Sequence, residues 1–305
     1  RPVTTFGWSP SESTPFRQAI FASVRQCLTM LELNHGFRVV DVHARLDPTD
    51  EAEVASRGRE TTPEVLEREL RQAGVVRAVV APGERPAGEG YLQANNAVAR
   101  LSVDRPFLAF ARINGPREPG SAVSSRLRNL ASSREACHAS PDDIEQYAYD
   151  DRFHGFTLAP GVDGLPDSET VAVLEDVGLP LVVHGGRSFP PDAVAEALLG
   201  RDIPVILAGF GGYPLDRDLM ADAIDLLDRY DRLYLDTAGV RFRSVLERAL
   251  LEHPDRVLFG SGAPEAHPNV GVTEILTLDV SEDAMRRAFS ANPSRVVPGL
   301  SPGES

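Results

Sequence analysis

The 305-residue chain contains no lysine: all 31 of its basic residues are arginine, set against 45 acids for a formal net charge of −14. With no basic stripe to neutralise phosphates, nucleic-acid binding is excluded as the main function. The arginine bias fits high-GC coding, and a persistently negative surface keeps a protein soluble where salt screens self-repulsion. Together they imply a halophilic, cytoplasmic source, an ordinary acidic protein of a high-GC mesophile being the plainer alternative. Cysteine is nearly absent too. Cys27 and Cys137 lie far apart without metal-type spacing and read as unpaired thiols with no catalytic part. Cys137 adjoins His138, but neighbours on a strand face opposite ways, which argues against a nucleophile–base pair. No apolar run approaches the roughly 18 residues that cross a bilayer. The opening RPVTTFGWSPSESTPF also lacks the basic-then-apolar pattern of a signal peptide, so a soluble, intracellular protein without membrane contact is expected.

What is present is a rhythm of short runs rich in Val and Leu. RVVDVHARL (38–46), VVRAVVA (75–81), PFLAFARI (106–113), GFTLA (155–159), PLVVH (180–184), PVILA (204–208), LYLDT (233–237) and RVLFG (256–260) read as eight buried strands. Helical patterns lie between many of them. TPEVLERELRQAG opens with Thr62 as N-cap and Pro63 at the first helical position and closes at Gly74, while LDRDLMADAIDLLDRY and SVLERALLEH have amphipathic spacing. Eight strands alternating with helices predict an α/β protein with a parallel sheet closed into a single (β/α)8 barrel over 37–298, with an open doubly wound sheet as the runner-up. GFGGYP after the sixth strand has glycines but neither the spacing nor the Lys of a phosphate-binding loop. Residues 1–36 form a short N-terminal extension. They read either as a helix, FRQAIFASVRQCLTMLEL, capping the barrel floor or as a segment upstream of a natural start at Met30. Residues 299–305 are Pro/Gly/Ser-rich and expected to fray.

Period-2 alternation in VVDVHARL puts Asp41, His43 and Arg45 on one face and Val40, Val42 and Ala44 on the other. The polar face is expected to point into the barrel, with an internal Asp41–Arg45 ion pair as the bland alternative. His184 ends the fifth strand and Asp236 the seventh, at the edge where barrel enzymes keep catalytic side chains. His267, in the loop above the eighth strand, is a candidate for substrate contact. His35, His138, His154 and His253 are weaker, the last closing a helix where its charge suits the dipole.

Taken in order, VVDVHARL, GFTLAP, GLPLVVHGG, IPVILAGFGGYP, LYLDTAGV, DRVLFGSGAP and SANPSRVV resemble the amidohydrolase-related family. These are metal-dependent barrels that include hydrolases and aminocarboxymuconate-semialdehyde-type decarboxylases. The resemblance spans Arg38 to Val297 and implies a TIM barrel, a small carboxylated or carbonyl substrate and homodimerisation. It also implies a metal held by a His-x-His pair, a fifth-strand His, a sixth-strand His and an eighth-strand Asp. Here the pair is His43-Ala44-Arg45, His184 is present, and Gly209 and Gly262 stand where the other two would be. Two imidazoles without a carboxylate fall short of the usual three protein ligands of catalytic zinc, and Arg45 places a fixed positive charge at the site. No metal or other cofactor is therefore expected, Zn or Mn entering only if Asp41, Asp236, Glu265 or His267 rebuilds the coordination. Two readings follow. One is a hydrolase or non-oxidative decarboxylase, metal-independent or weakly active, using His184, His43 and Asp236 with Arg45 and His267 on the substrate. The other is a barrel without catalysis that binds a ligand or a protein partner.

Overall fold

The structure, a computed structural model, describes residues 33–46, 62–86, 88–120, 129 and 132–301. Cys27, Met30 and all of the extension before residue 33 lie outside the described residues, as do 302–305. Eight strands, β1 (Val39–Arg45), β2 (Val75–Ala81), β3 (Phe107–Arg112), β4 (Phe153–Leu158), β5 (Leu181–Val183), β6 (Val205–Leu207), β7 (Leu233–Asp236) and β8 (Val257–Leu258), pair in chain order, each ladder parallel. All eight expected strands are found. The ring closes through chain leaving β8: Ala44 bridges Ala263, Val42 N donates to Phe259 O, Gly262 N to His43 O and Arg45 N to Ala263 O. This is a (β/α)8 barrel.

Helices follow the strands: α1 (Pro63–Gln72), α2 (Leu92–Ser102), α3 (Pro141–Tyr149), α4 (Ser168–Val177), α5 (Pro191–Val194, continued by a wider turn to Leu199), α6 (Arg217–Leu226), α7 (Arg243–Glu252) and α8 (Pro268–Leu276). Their starts are set by side chains that accept otherwise orphaned backbone N–H groups. Thr62 caps α1 with Pro63 behind it, as expected. Ser140 and Asp143 cap α3 reciprocally, Asp167 caps α4 and Asp216 caps α6. His253 ends α7, as expected.

Apolar burial is split into two layers. The strand faces turned outward, such as Val39, Ala44, Val75, Val80 and Ala109, pack with helix residues such as Leu66, Leu70 and Val98. A smaller cluster fills the barrel itself with Val40, Val42, Val79, Leu108, Phe110, Val182, Ile206 and Leu258. The alternation expected for β1 is therefore reversed over its first half: Val40 and Val42, not Asp41, face the interior. A register shift between Asp41 and Ala44, three residues of β1 against two of β2, then turns His43 inward as well. Leu300, from the segment expected to fray, is buried in this inner cluster; its carbonyl accepts from Arg38 and from Ser294 Oγ at 3.1 Å each. No helix among the described residues is long and apolar enough to cross a membrane.

Candidate active site

The bulge in β1 aims the His43 ring across the barrel mouth. Its Nδ1–H donates to Asp236 Oδ2 at 2.9 Å. Asp236, fully buried at the end of β7, is held from its other side: Oδ1 accepts Ala238 N at 2.8 Å and Gly209 N at 3.0 Å. Three bonds thus fix the carboxylate, the carboxylate fixes the imidazole, and among the described residues Nε2 is left as the free ring nitrogen of His43. The His184 ring stands edge-on to His43, centroids 4.8 Å apart and planes at 90°. His184 N donates to Leu158 O, which ties the end of β5 to β4, and Thr157 Oγ1 lies 3.3 Å from His184 Nε2. His43, His184 and Asp236, singled out in the sequence, are brought together.

The two imidazoles are driven apart electrostatically. Burial works against a charged His43, but Asp236, through charge and hydrogen bond, and then Asp41 and Glu265 outweigh it and hold its pKa above the usual value. Burial depresses His184 well below that value, reinforced by the positive charges of His43, Arg112 and Arg45. One ring is thereby set to carry a proton and its neighbour to accept one.

Arg45, at the end of β1, forms an ion pair with Glu265, Nη2 to Oε1 2.6 Å; the two side chains are 31% and 39% exposed. The alternative Asp41–Arg45 pair does not form. Asp41 is buried in the β1–β8 seam, where Oδ1 accepts His43 N and Ser261 N at 2.9 Å each and Oδ2 has no hydrogen-bond partner among the described residues. Burial pushes its carboxyl up to about 6, against the opposing bonds from Ser261 and His43. His267 caps α8: its Nδ1 accepts Asn269 N at 3.2 Å and its Nε2 lies 3.3 Å from Gln72 Oε1, so both ring nitrogens are engaged with α1 and the first turn of α8.

Arg112 escaped the sequence reading, although it is the one charged residue in FLAFAR and ends a barrel strand. It is buried, and Nε and Nη2 grip Asp163 Oδ2 and Oδ1 at 3.0 and 3.2 Å. Asp163 also accepts Tyr91 Oη at 2.7 Å and Ala159 N at 2.9 Å, and the guanidinium lies 5.1 Å from the centre of the Tyr91 ring. Removing one partner of such a buried pair costs about 3–5 kcal/mol, whereas an accessible pair like Arg45–Glu265 contributes about 0–1 kcal/mol.

The two glycines at the expected ligand positions are not equivalent. Gly209 has φ +55, and a Cβ there would meet Ala238 O at 2.7 Å, so the backbone itself excludes a side chain. Gly262 has φ +67, which Asp and Asn tolerate better than most residues, and the nearest atom to a Cβ would be Ala238 Cβ at 3.4 Å. A Cβ there makes only ordinary contacts. A divalent ion held as catalytic zinc is held needs three protein ligands. Here two imidazoles remain, one with Nδ1 committed; both Asp236 oxygens are taken, Arg45 adds positive charge, and no group of three His, Cys, Asp or Glu among the described residues is arranged to hold an ion. The described donor set does not fit the group.

The cluster lies at the C-terminal ends of the strands, the face where barrel enzymes carry their chemistry. The chain belongs to the amidohydrolase family, whose model (Amidohydro_2) matches residues 40–299. An uncharacterised TIM-barrel protein from Bordetella bronchiseptica is 19% identical, with a TM-score of 0.62, over 85% of this chain and 98% of its own. The 2,6-dihydroxybenzoate decarboxylase from Rhizobium is 15% identical, with a TM-score of 0.59 over 85% and 98%. A dihydroxybenzoic acid decarboxylase from Polaromonas, solved with manganese and the inhibitor 2-nitroresorcinol, is 14% identical, with a TM-score of 0.55 over 85% and 96%. No curated protein matches the chain.

Proposed function

We propose that this barrel is an enzyme that hydrolyses or decarboxylates a small carboxylated or carbonyl substrate without a resident metal ion. The observation that carries the reading is the Asp236–His43–His184 constellation: a buried carboxylate orienting one imidazole, whose free nitrogen shares the mouth with a second. Pairs of titratable groups pushed to opposite sides of neutrality are how one site runs acid and base chemistry together. His43, kept protonated by Asp236, is the general acid. In a decarboxylation the bond to the departing CO2 breaks and its electron pair takes the proton from His43 Nε2. In a hydrolysis neutral His184 removes a proton from the attacking water, while His43 protonates the leaving atom. Arg45 holds a substrate carboxylate. Its pair with Glu265 is open to solvent, not a buried plug across the mouth, which favours this reading over a sealed structural site. The solved decarboxylases of hydroxybenzoates supply the substrate class to try first.

Rate should require pH above the His184 pKa and below that of His43, giving a bell around neutrality. The test is turnover of 2,6-dihydroxybenzoate and related aromatic carboxylates by protein of measured metal content, with chelator and with added manganese. Turnover that survives chelation and vanishes in His43→Ala is expected. Activity that appears only with manganese would overturn the metal-free reading.

A second reading, a binding barrel without catalysis, draws on Gly209 and Gly262, neither of which supplies a functional group. Ligand binding unchanged in a His43→Ala, His184→Ala protein that shares the wild type's lack of turnover would favour it.

A further inference from the structure

Three carboxylates neutralise three cations at this end of the barrel: Asp236 with His43, Asp163 with Arg112, and Glu265 with Arg45. The first two carboxylates are inaccessible, at 0% and 1% side-chain exposure, and each accepts further backbone or tyrosine hydrogen bonds. Glu265 differs in every respect. It is partly exposed, its partner among the described residues is Arg45, and the loop that carries it is fixed to β1 by the Ala44–Ala263 bridge and the bond from Arg45 N to Ala263 O. The backbone is pinned while the carboxylate stays exchangeable.

We infer that Glu265 occupies the seat of the substrate carboxylate, a tethered competitor that an incoming carboxylate displaces from Arg45. The inference rests on the proposed role of Arg45 as carboxylate receptor. It adds that a residue of the chain itself sets how tightly the site takes its ligand: an anionic ligand must exceed the internal one, and a neutral ligand gains nothing from Arg45. With Glu265 bound the mouth keeps its charge balance; with a substrate carboxylate bound, the Glu265 carboxylate swings into solvent at little cost because it is already partly hydrated. The exchange leaves the two buried pairs untouched.

Calorimetric titration with benzoate and with its neutral isostere benzamide tests this on the full chain. Glu265→Gln should bind benzoate roughly fivefold more tightly than wild type, the equilibrium equivalent of one accessible ion pair, with benzamide affinity unchanged. Arg45→Gln should abolish benzoate binding, and Glu265→Gln added to it should bring no gain. Benzoate binding that Arg45→Gln abolishes but Glu265→Gln leaves unchanged or weakens would overturn the competition and spare Arg45 as receptor. Binding that survives Arg45→Gln intact, or no benzoate binding in any variant, would overturn both.

Discussion

Two charged clusters share the C-terminal face of the barrel, and they use similar residues to opposite ends. Around β3 and β4, Arg112 and Asp163 are buried and bonded on every side, with Tyr91 and backbone groups completing the set. Around β1, β5 and β7, the carboxylate Asp236 is equally satisfied, but the imidazole it holds keeps one nitrogen free among the described residues and faces a second imidazole. A fully satisfied network has nothing left to offer a ligand, so its contribution is rigidity. A network that ends in one free, oriented nitrogen has its rigidity directed at whatever enters the mouth.

The largest effect that would break this contrast is on rate. His43→Ala and His184→Ala should each lower kcat by about 10²- to 10⁴-fold on any substrate the barrel turns over, with the circular dichroism spectrum preserved. Next comes Arg112→Met, expected to leave Asp163 buried and uncompensated at a cost of about 3–5 kcal/mol, read as a fall in Tm of about 10 °C. Asp41 sharpens the comparison through pH. Its folded pKa of about 6 lies above the ordinary carboxylate value, so the folded state holds the extra proton between about pH 4 and pH 6. Stability should therefore fall as pH rises through that window, by about 3 kcal/mol, and urea titrations of Asp41→Asn should show the fall removed. The smallest effect separates the two glycines. Gly262→Asp should cost about 1–2 kcal/mol for its left-handed backbone alone, whereas Gly209→Ala carries the same penalty plus a collision with Ala238 O and should melt measurably lower.

The barrel was legible because its strands are continuous apolar runs bounded by Gly, Pro and charge, which is how strands buried on both faces read. That His43, His184, Asp236 and Arg45 would lie at one end of the barrel was legible because Arg45 and Asp236 end strands, His184 follows one and His43 lies two residues before Arg45. The alternation in β1 misled because a bulge is a local change of register that a period-2 pattern cannot announce; it brings Val42 and His43 to the same side although they are adjacent in sequence. Arg112 was missed for a different reason. Its partners Asp163 and Tyr91 lie 51 and 21 positions away along the chain, on segments that the pairing of β2, β3 and β4 brings together. The distinct conformations of Gly209 and Gly262 were likewise invisible, since two glycines look alike until a neighbouring carbonyl is placed beside one of them. His267 was a candidate from its place in the loop above the eighth strand; its engagement with Asn269 and Gln72 was not legible because it depends on α1 packing alongside α8.

The barrel's joint between β8 and β1 rests on one bridge and three main-chain bonds, with β8 itself only two residues long. Both sides of that joint carry groups of the proposed site: His43 and Arg45 on one side, Glu265 on the other. Amide exchange at Arg45 and Gly262 therefore measures the closing of the ring and the assembly of the mouth as one event. A molecule that seats itself between these segments acts as a clasp, and slower exchange at those two amides would register its arrival even where no reaction follows.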